Sequence, residues 1–187
     1  SVDSMSQSGK TDLSFAQGLC SEYGLSMKLY NNKIVVYCQA DYEKAAPAYS
    51  ITRQDLGAEG SYRIEKNITK IYNSVKIQYT NEDGKTLNYE YSVPGTDGQR
   101  QKFISSKAES LKDAEIKAKA ALRENLRTAR TITITKTGSA KHIAAQVCSI
   151  SGFGKLDGNY FIDSVTHSRS GGKYTCVITA HLAVTDF

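Results

Sequence analysis

The sequence predicts an α+β protein: an antiparallel β-barrel-like domain with an inserted alanine-rich helix, preceded by a small helix-plus-hairpin subdomain. Apolar residues recur at helical spacing in two segments and alternate with polar residues over much of the remaining chain. Turns that contain glycine or asparagine separate the alternating runs, which is typical of hairpins. The length of 187 residues permits one domain or two small ones. We assign residues 1–58 to the helix-hairpin subdomain and residues 59–187 to the barrel-like domain.

A helix followed by a hairpin opens the chain. Thr11 or Asp12 can cap the helix, and Gly24 ends it. Its apolar stripe consists of residues at spacings of three and four: Leu13, Ala16, Leu19, Cys20 and Tyr23. Two alternating runs follow, joined by Asn31-Asn32, a turn that tolerates positive φ. Because a single hairpin is only marginally stable, we expect this unit to cover one side of a larger sheet.

Stronger β patterns begin at Ser61, after a weakly patterned linker or crossing strand between Gln39 and Gly60. The clearest hairpin runs from Val75 to Val93, where two alternating strands flank a polar turn. Later segments of strand composition are residues 131–137, 143–150, 160–167 and 173–184. These strands would supply the barrel-like core.

One long helix is predicted among these strands, over residues 106–129. Ser106 and Glu109 have the spacing of a capping box. The helix carries an apolar stripe: Leu111, Ala114, Ala118, Ala121, Leu122 and Leu126. We therefore expect it to pack on a sheet.

Charge, hydropathy and cysteine content narrow the possible context. Lys and Arg outnumber Asp and Glu by 24 to 19, a mild excess that is spread along the chain and does not predict a nucleic-acid binder. The apolar runs are far shorter than the roughly 20 residues of a membrane-spanning helix. The four cysteines are widely separated and form no C-x-x-C pair: Cys20, Cys38, Cys148 and Cys176. We favour buried thiols in a reducing compartment over disulfides, although the spacing leaves both open.

The sequence carries no recognisable catalytic, metal or cofactor motif. Ser8-Gly9-Lys10-Thr11 resembles the end of a phosphate-binding loop, but Ser4 stands where that loop needs glycine. The three histidines, His142, His167 and His181, have no local ligand spacing. We expect His167 to hydrogen-bond a loop carbonyl. The sequence leaves open a carboxylate pair that assembles in space.

The C-terminal third carries a more specific pattern. A turn, Ser151-Gly152-Phe153-Gly154, precedes Asp157-Gly158-Asn159-Tyr160-Phe161-Ile162, which leads to His167 and then to Gly171-Gly172-Lys173-Tyr174. This order resembles the closing segment of the phage late control D family of tail baseplate hub proteins. That family has the pattern D-G-x-Y-x-I-x-x-V-x-H, then a short loop and G-G-x-Y-x-T. The matching residues are Gly152, Gly154, Asp157, Gly158, Tyr160, Ile162, His167, Gly171, Gly172 and Tyr174.

The resemblance implies that these residues define turns and strands, with Tyr160 and Ile162 facing the interior of a barrel, and that none is catalytic. It implies a non-enzymatic structural protein of a contractile phage tail or tail-like injection machine. Hubs of this family form trimeric rings between tail tube and central spike. The implied partners are therefore a spike protein, the tail tube and other baseplate proteins.

The implied location is the virion tail, assembled in the cytoplasm of the bacterial host. No membrane is involved, and DNA at most passes transiently through a lumen. The family's N-terminal barrel has no counterpart in this sequence, so we expect the chain to correspond to the later part of a hub or to a reduced hub.

Two other functions stay open. Ten of the twelve tyrosines lie between Tyr23 and Tyr91 and could form stacking platforms in a cell-wall or carbohydrate-binding module of a phage tail. We favour their interpretation as core and edge residues of strands. A peptidoglycan hydrolase would need a carboxylate pair in a cleft, whereas the acidic residues here fall mainly in predicted turns and helices.

Overall fold

The computed structural model describes residues 7–57, 60–69, 71–81 and 83–185. Within these ranges the α-helices are α1 (Asp12–Glu22), α2 (Gln39–Glu43) and α3 (Leu111–Arg127). The strands are β1 (Leu25–Tyr30), β2 (Lys33–Cys38), β3 (Tyr49–Thr52), β4 (Ser61–Lys66), β5 (Ser74–Thr80), β6 (Thr86–Ser92), β7 (Gln101–Ala108), β8 (Arg130–Thr137), β9 (Val147–Ser151), β10 (Gly158–Ser170) and β11 (Lys173–Leu182). The α+β class is confirmed. The predicted boundary between residues 58 and 59 lies outside the described residues.

These strands form three sheets. Their orders are β1-β2, β3-β9-β10-β11-β8-β4 and β6-β5-β7. The antiparallel prediction does not hold at two places, because β3 pairs with β9 and β5 pairs with β7 in parallel. Across the described ranges, β3 and β4 are the open edges of the six-stranded sheet. No pairing there closes a barrel, and the barrel-like detail is not confirmed.

The six-stranded sheet packs one face into a single apolar core. Alternation along β8 and β11 places Ile132, Ile134 and Ile178 on this face, where all three are buried. Both edge strands contribute to the same core, through Ile51 of β3 and Ile64 of β4. Arg53, directly after β3, lies 5.9 Å from the centre of the Tyr62 ring of β4, so the sheet curls enough to bring its two edges close together.

Helix α3 packs on the three-stranded sheet and forms a second core. Ala114, Ala118 and Leu122 recur every four residues and are fully buried in one cluster with Val75 and Ile77 of β5. Because α3 ends at residue 127 and β8 begins at residue 130, the helix also connects the two sheets directly. In the described part of the chain, each helix is too short or too polar to cross a membrane.

Several local predictions are confirmed. Thr11 caps α1, since its hydroxyl accepts a hydrogen bond from the Ser14 backbone N–H at 3.3 Å. Asn31 and Asn32 form the β1–β2 turn with φ values of 46° and 58°. The predicted hairpin within residues 75–93 is the β5–β6 pair. All four cysteines are free thiols, although only Cys148 and Cys176 are buried and the other two are partly exposed.

Two predicted element boundaries were wrong. The long helix begins at Leu111, after the capping hydroxyl of Ser110, and not at Ser106. Ser106 belongs to β7, because pairing with β5 keeps this segment extended. Strand β9 begins at Val147 and not at residue 143, since Ala145 adopts a positive φ of 63° just before it.

Candidate functional site

The glycine-bearing turn of the motif connects β9 to β10 and is organised by Asp157. The Asp157 carboxylate accepts hydrogen bonds from the backbone N–H groups of Gly152 at 3.2 Å and Phe153 at 2.7 Å. Gly152 and Gly154 have φ values of 86° and 68°, a backbone conformation that residues with a Cβ rarely adopt. The turn thus needs both an aspartate and glycines, for different physical reasons.

Three further motif residues open β10. Tyr160 and Ile162 are fully buried in the core of the six-stranded sheet. The Tyr160 hydroxyl donates a hydrogen bond to the Leu156 carbonyl at 2.7 Å, so its one polar atom is satisfied. A Cβ on Gly158 would lie 3.1 Å from Leu182 Cδ1, at a φ of 155°.

The other motif residues lie at the far end of the β10–β11 hairpin. Gly171 and Gly172 both have positive φ and form its two-residue turn. His167 Nε2 lies 3.0 Å from the His142 carbonyl oxygen and so acts as the donor; its Nδ1 then accepts from the Tyr174 hydroxyl at 2.8 Å. The predicted bond to a loop carbonyl is confirmed.

The structure therefore separates the motif into two groups at opposite ends of β10. One group forms the β9–β10 turn and supplies the first core residues of β10. The other group lies at the turn of the β10–β11 hairpin. Neither group brings a nucleophile, an acid and a base together. The geometry of these residues agrees with a fold-defining role, which stays a prediction.

A buried charged cluster, which the sequence did not predict, lies between α2, α3 and the end of β11. The Glu43 carboxylate is completely buried. Its Oε1 accepts from Arg127 Nε at 2.8 Å and its Oε2 accepts from the Val184 backbone N–H at 2.7 Å. Arg123 Nη1 donates to the Val184 carbonyl at 3.1 Å. Side chains from α2 and α3 thus bind both backbone polar groups of Val184, just after β11.

His181 extends this cluster across the sheet. Its Nδ1 lies 2.8 Å from Asp163 Oδ1, and its Nε2 lies 3.4 Å from Glu43 Oε1. A cleft of about 500 Å³ lies beside it. The cleft is lined by residues of α2, of the C-terminal end of α3 and of the six-stranded sheet and its adjoining loops: Gln39, Glu65, Asn67, Glu124, Arg127, Thr128, Thr131, Asp163 and His181.

The cluster shifts the pKa values of its members. Burial lowers the pKa of His181, but the hydrogen bond to Asp163 and the charges of Asp163 and Glu43 outweigh burial and raise it above 6.5. Burial raises the pKa of Glu43, but the neighbouring His181 ring, the charge of Arg127 and the hydrogen bond from the Val184 backbone outweigh burial and lower it below 4.5. The arrangement favours the ionised form of both groups.

This cluster holds the carboxylate pair that the sequence left open, yet its geometry suits a structural clamp better than catalysis. Asp163 and Glu43 both face His181, so each ring nitrogen is directed at a carboxylate and not at a substrate. Among the described residues, no group of three or more His, Cys, Asp or Glu side chains could hold a metal ion.

Replacing Gly152 with alanine should destabilise the protein more than replacing Gly154. Either change should cost about 1–2 kcal/mol for a left-handed backbone. The Gly152→Ala Cβ would also lie 3.3 Å from Arg53 Cβ, whereas nothing lies within 4 Å of the corresponding position at Gly154. Urea unfolding of the two variants measures the difference. Equal losses would contradict crowding at Gly152.

Glu43→Gln should reduce the free energy of unfolding by about 3 kcal/mol or more, because it removes the only buried carboxylate that pairs with Arg127 among the described residues and leaves the exposed Glu124. Glu124 provides a matched control, since it also pairs with Arg127, at 3.3 Å, but is largely exposed. Glu124→Gln should cost less than about 1 kcal/mol. Chemical denaturation compares the two variants, and similar losses would show that burial of Glu43 is not decisive.

Stability should depend on pH through the same cluster. The contribution of His181 is complete below its ordinary pKa of 6.5 and is lost as the pH rises through its raised folded pKa. The contribution of Glu43 is present above its ordinary value of 4.5 and is lost as the pH falls through its lowered folded pKa. The free energy of unfolding should therefore be greatest between these ordinary values.

Denaturant unfolding over a pH series measures this profile. His181→Gln should remove the decline on the alkaline side, and Asp163→Asn should move that decline to lower pH. His167→Gln is the control, because the ring nitrogens of His167 contact the His142 carbonyl and the Tyr174 hydroxyl and not carboxylates. Parallel profiles for wild type and His181→Gln would rule out His181 as the cause.

The YQBQ-like family matches residues 40–181 of the chain. A comparison with curated proteins gives no significant match. The match covers the three-stranded sheet, α3 and the six-stranded sheet up to the last residue but one of β11, and it begins one residue into α2. The narrower resemblance to late control D hubs is not part of this match and stays a prediction.

Solved structures of phage tail proteins have a similar fold. A tail protein from Neisseria meningitidis MC58 aligns with 97% of this chain and 59% of its own, at a TM-score of 0.71 and 15% identity. The 43 kDa tail protein of prophage MuSo2 from Shewanella oneidensis aligns over 97% of this chain and 57% of its own length, at a TM-score of 0.72 and 13% identity. Prophage tail protein gp18 from Listeria monocytogenes EGD-e aligns over 91% of this chain and 52% of its own length, at a TM-score of 0.56 and 14% identity.

The chain spans less than two thirds of the length of each of these three proteins. At such low identity the likeness concerns the fold alone. The family match, in contrast, covers well over half of the sequence. The chain therefore belongs to the YQBQ-like family, and its fold is one found in phage tail proteins.

Proposed function

We propose that the chain is a structural protein of a phage tail or tail-like injection machine, and that it forms a ring of three copies in the hub between tail tube and central spike. The observation that carries the proposal is the fold likeness to two tail proteins over 97% of the chain. The late control D pattern between Gly152 and Tyr174 supports the narrower hub assignment. The division after residue 58 is part of the same proposal.

Open sheet edges suit an assembly protein. The six-stranded sheet ends at β3 and β4, and the three-stranded sheet ends at β6 and β7. Edge strands present unpaired backbone groups that a neighbouring subunit can use. On β4 the exposed pair Arg63–Glu65, with 2.6 Å between Nη2 and Oε1, adds charges that limit unspecific pairing. These features support specific docking between subunits.

The tyrosines do not favour a carbohydrate-binding module. Tyr42 and Tyr62 are exposed, but they meet Tyr37 and Phe153 edge-on, at interplanar angles of 70° and 77°. Tyr174 stacks on His167. The exposed tyrosine rings that the structure describes thus lie on separate elements and form no flat platform.

The hub proposal predicts where the protein lies in the assembled particle. Tail particles from cells that carry this gene should bind an antibody to the chain at the junction of tube and spike. Immunogold electron microscopy measures this position. Particles assembled without the gene are the control, and label along the tube or on the head would contradict a hub.

The purified chain mixed with the spike protein of the same particle should form a complex by light scattering. Heat-unfolded chain is the control for unspecific association. A chain that ignores the spike at every ratio would argue against the tube-to-spike role, while leaving open another position in the tail.

A further inference from the structure

The loop between β8 and β9 places a histidine ring inside the protein. His142 is 5% exposed, and its ring packs on the Tyr49 ring with 4.9 Å between the ring centres. The backbone of His142 is bonded, since its N–H donates to the Ser139 carbonyl at 3.2 Å and its carbonyl accepts from His167 Nε2. In contrast, both ring nitrogens are buried without a hydrogen-bond partner among the described residues. The ring thus lacks the polar contacts that usually accompany a buried histidine.

The electrostatic surroundings of this ring disfavour a proton. Burial lowers the pKa of His142, and Lys136 on β8 and His167 on β10 lower it further. The facing group on β3 is Tyr49, whose phenol is neutral because burial raises its pKa. In the part of the chain that the structure describes, no carboxylate lies within hydrogen-bond distance of the His142 ring. The ring is therefore held in its neutral form.

His181 has the opposite arrangement. Its Nδ1 binds Asp163 and its Nε2 faces Glu43, so a proton on His181 is stabilised by two carboxylates. A proton on His142 would instead create a buried charge near Lys136 with no counter-charge. Protonation therefore favours a conformation in which the His142 ring reaches water.

The β8–β9 loop is anchored at its ends, and its middle is weakly held. The backbone N–H groups of Gly138 and Ala145 bind carbonyls of the β10–β11 hairpin at 2.8 and 2.9 Å. None of residues 139–144 belongs to either apolar core, and Ile143 is 50% exposed. Movement of the segment between the anchors therefore removes no residue from a core.

We propose that residues 139–144 form an acid-released loop, in which protonation of His142 moves its ring from the site beside Tyr49 into solvent while both cores stay folded. The stability that the neutral ring contributes is present above its ordinary pKa of 6.5 and is lost as the pH falls through its lowered folded pKa. His142 thus opposes His181, whose contribution is lost as the pH rises. Release uncovers Tyr49 at the start of β3, an edge strand of the six-stranded sheet.

Amide hydrogen exchange, followed by NMR from about pH 7.5 to about pH 5.5 and corrected for the intrinsic exchange rate, tests this inference. Opening at the His142 N–H should increase several-fold over this range, and linkage limits the increase to about tenfold. The N–H groups of Ala145 and Ile162 report on the anchor beside β10 and should keep their protection. This difference separates release of the loop from unfolding of the whole protein.

His142→Phe keeps an aromatic ring against Tyr49 but takes no proton, so its loop opening should not change with pH. His167→Gln is the matched control, because it removes the histidine that binds the loop carbonyl and retains His142. This variant should keep the several-fold response, and circular dichroism checks that each variant folds. A flat wild-type profile, a His142→Phe loop that responds like wild type, a His167→Gln loop that does not respond, or equal changes at the anchor would each overturn the inference.

Discussion

The arrangement of the six-stranded sheet relative to α3 and its three-stranded sheet depends on one buried carboxylate. The Glu43 carboxylate accepts hydrogen bonds from Arg127, the last residue of α3, and from the backbone N–H of Val184, just after β11. These three elements belong to different parts of the chain, and only a charge that is fully paired can stay in such a buried position. The carboxylate therefore requires α2, the end of α3 and the last strand to meet at one point.

The contact between the layers is consequently polar. The core under α3 and the core of the six-stranded sheet are separate apolar clusters, and Arg127 lies where the helix passes into β8. Two apolar surfaces can shift relative to each other at little cost, whereas the hydrogen bonds to Glu43 restrict the distances and angles between its partners. A component of a mechanical assembly benefits from such a fixed relation between layers. The adjacent cleft follows from the same polar packing and needs no ligand to explain it.

Sequence patterns correctly predicted those features that depend on residues close to one another in the chain. Thr11 and the Asn31-Asn32 turn act through contacts within four residues, so their roles could be inferred directly. Two serines, Ser106 and Ser110, each precede an acidic residue by three positions, and only the parallel pairing of β7 decides between them. Glu43 meets partners 84 and 141 residues away, so no local pattern could reveal its cluster.

Alternation of apolar and polar residues has a further limit, which the β1–β2 hairpin illustrates. The period of two correctly predicted its strands and which residues share a face. It does not specify what covers that face, because burial in a core and burial between subunits impose the same pattern. In β10 the apolar residues Tyr160 and Ile162 are buried in the chain's own core, while in β1 Leu29 is 65% exposed. An exposed alternating segment therefore predicts a strand and its two faces, while the surface that covers the apolar face lies beyond what the pattern records.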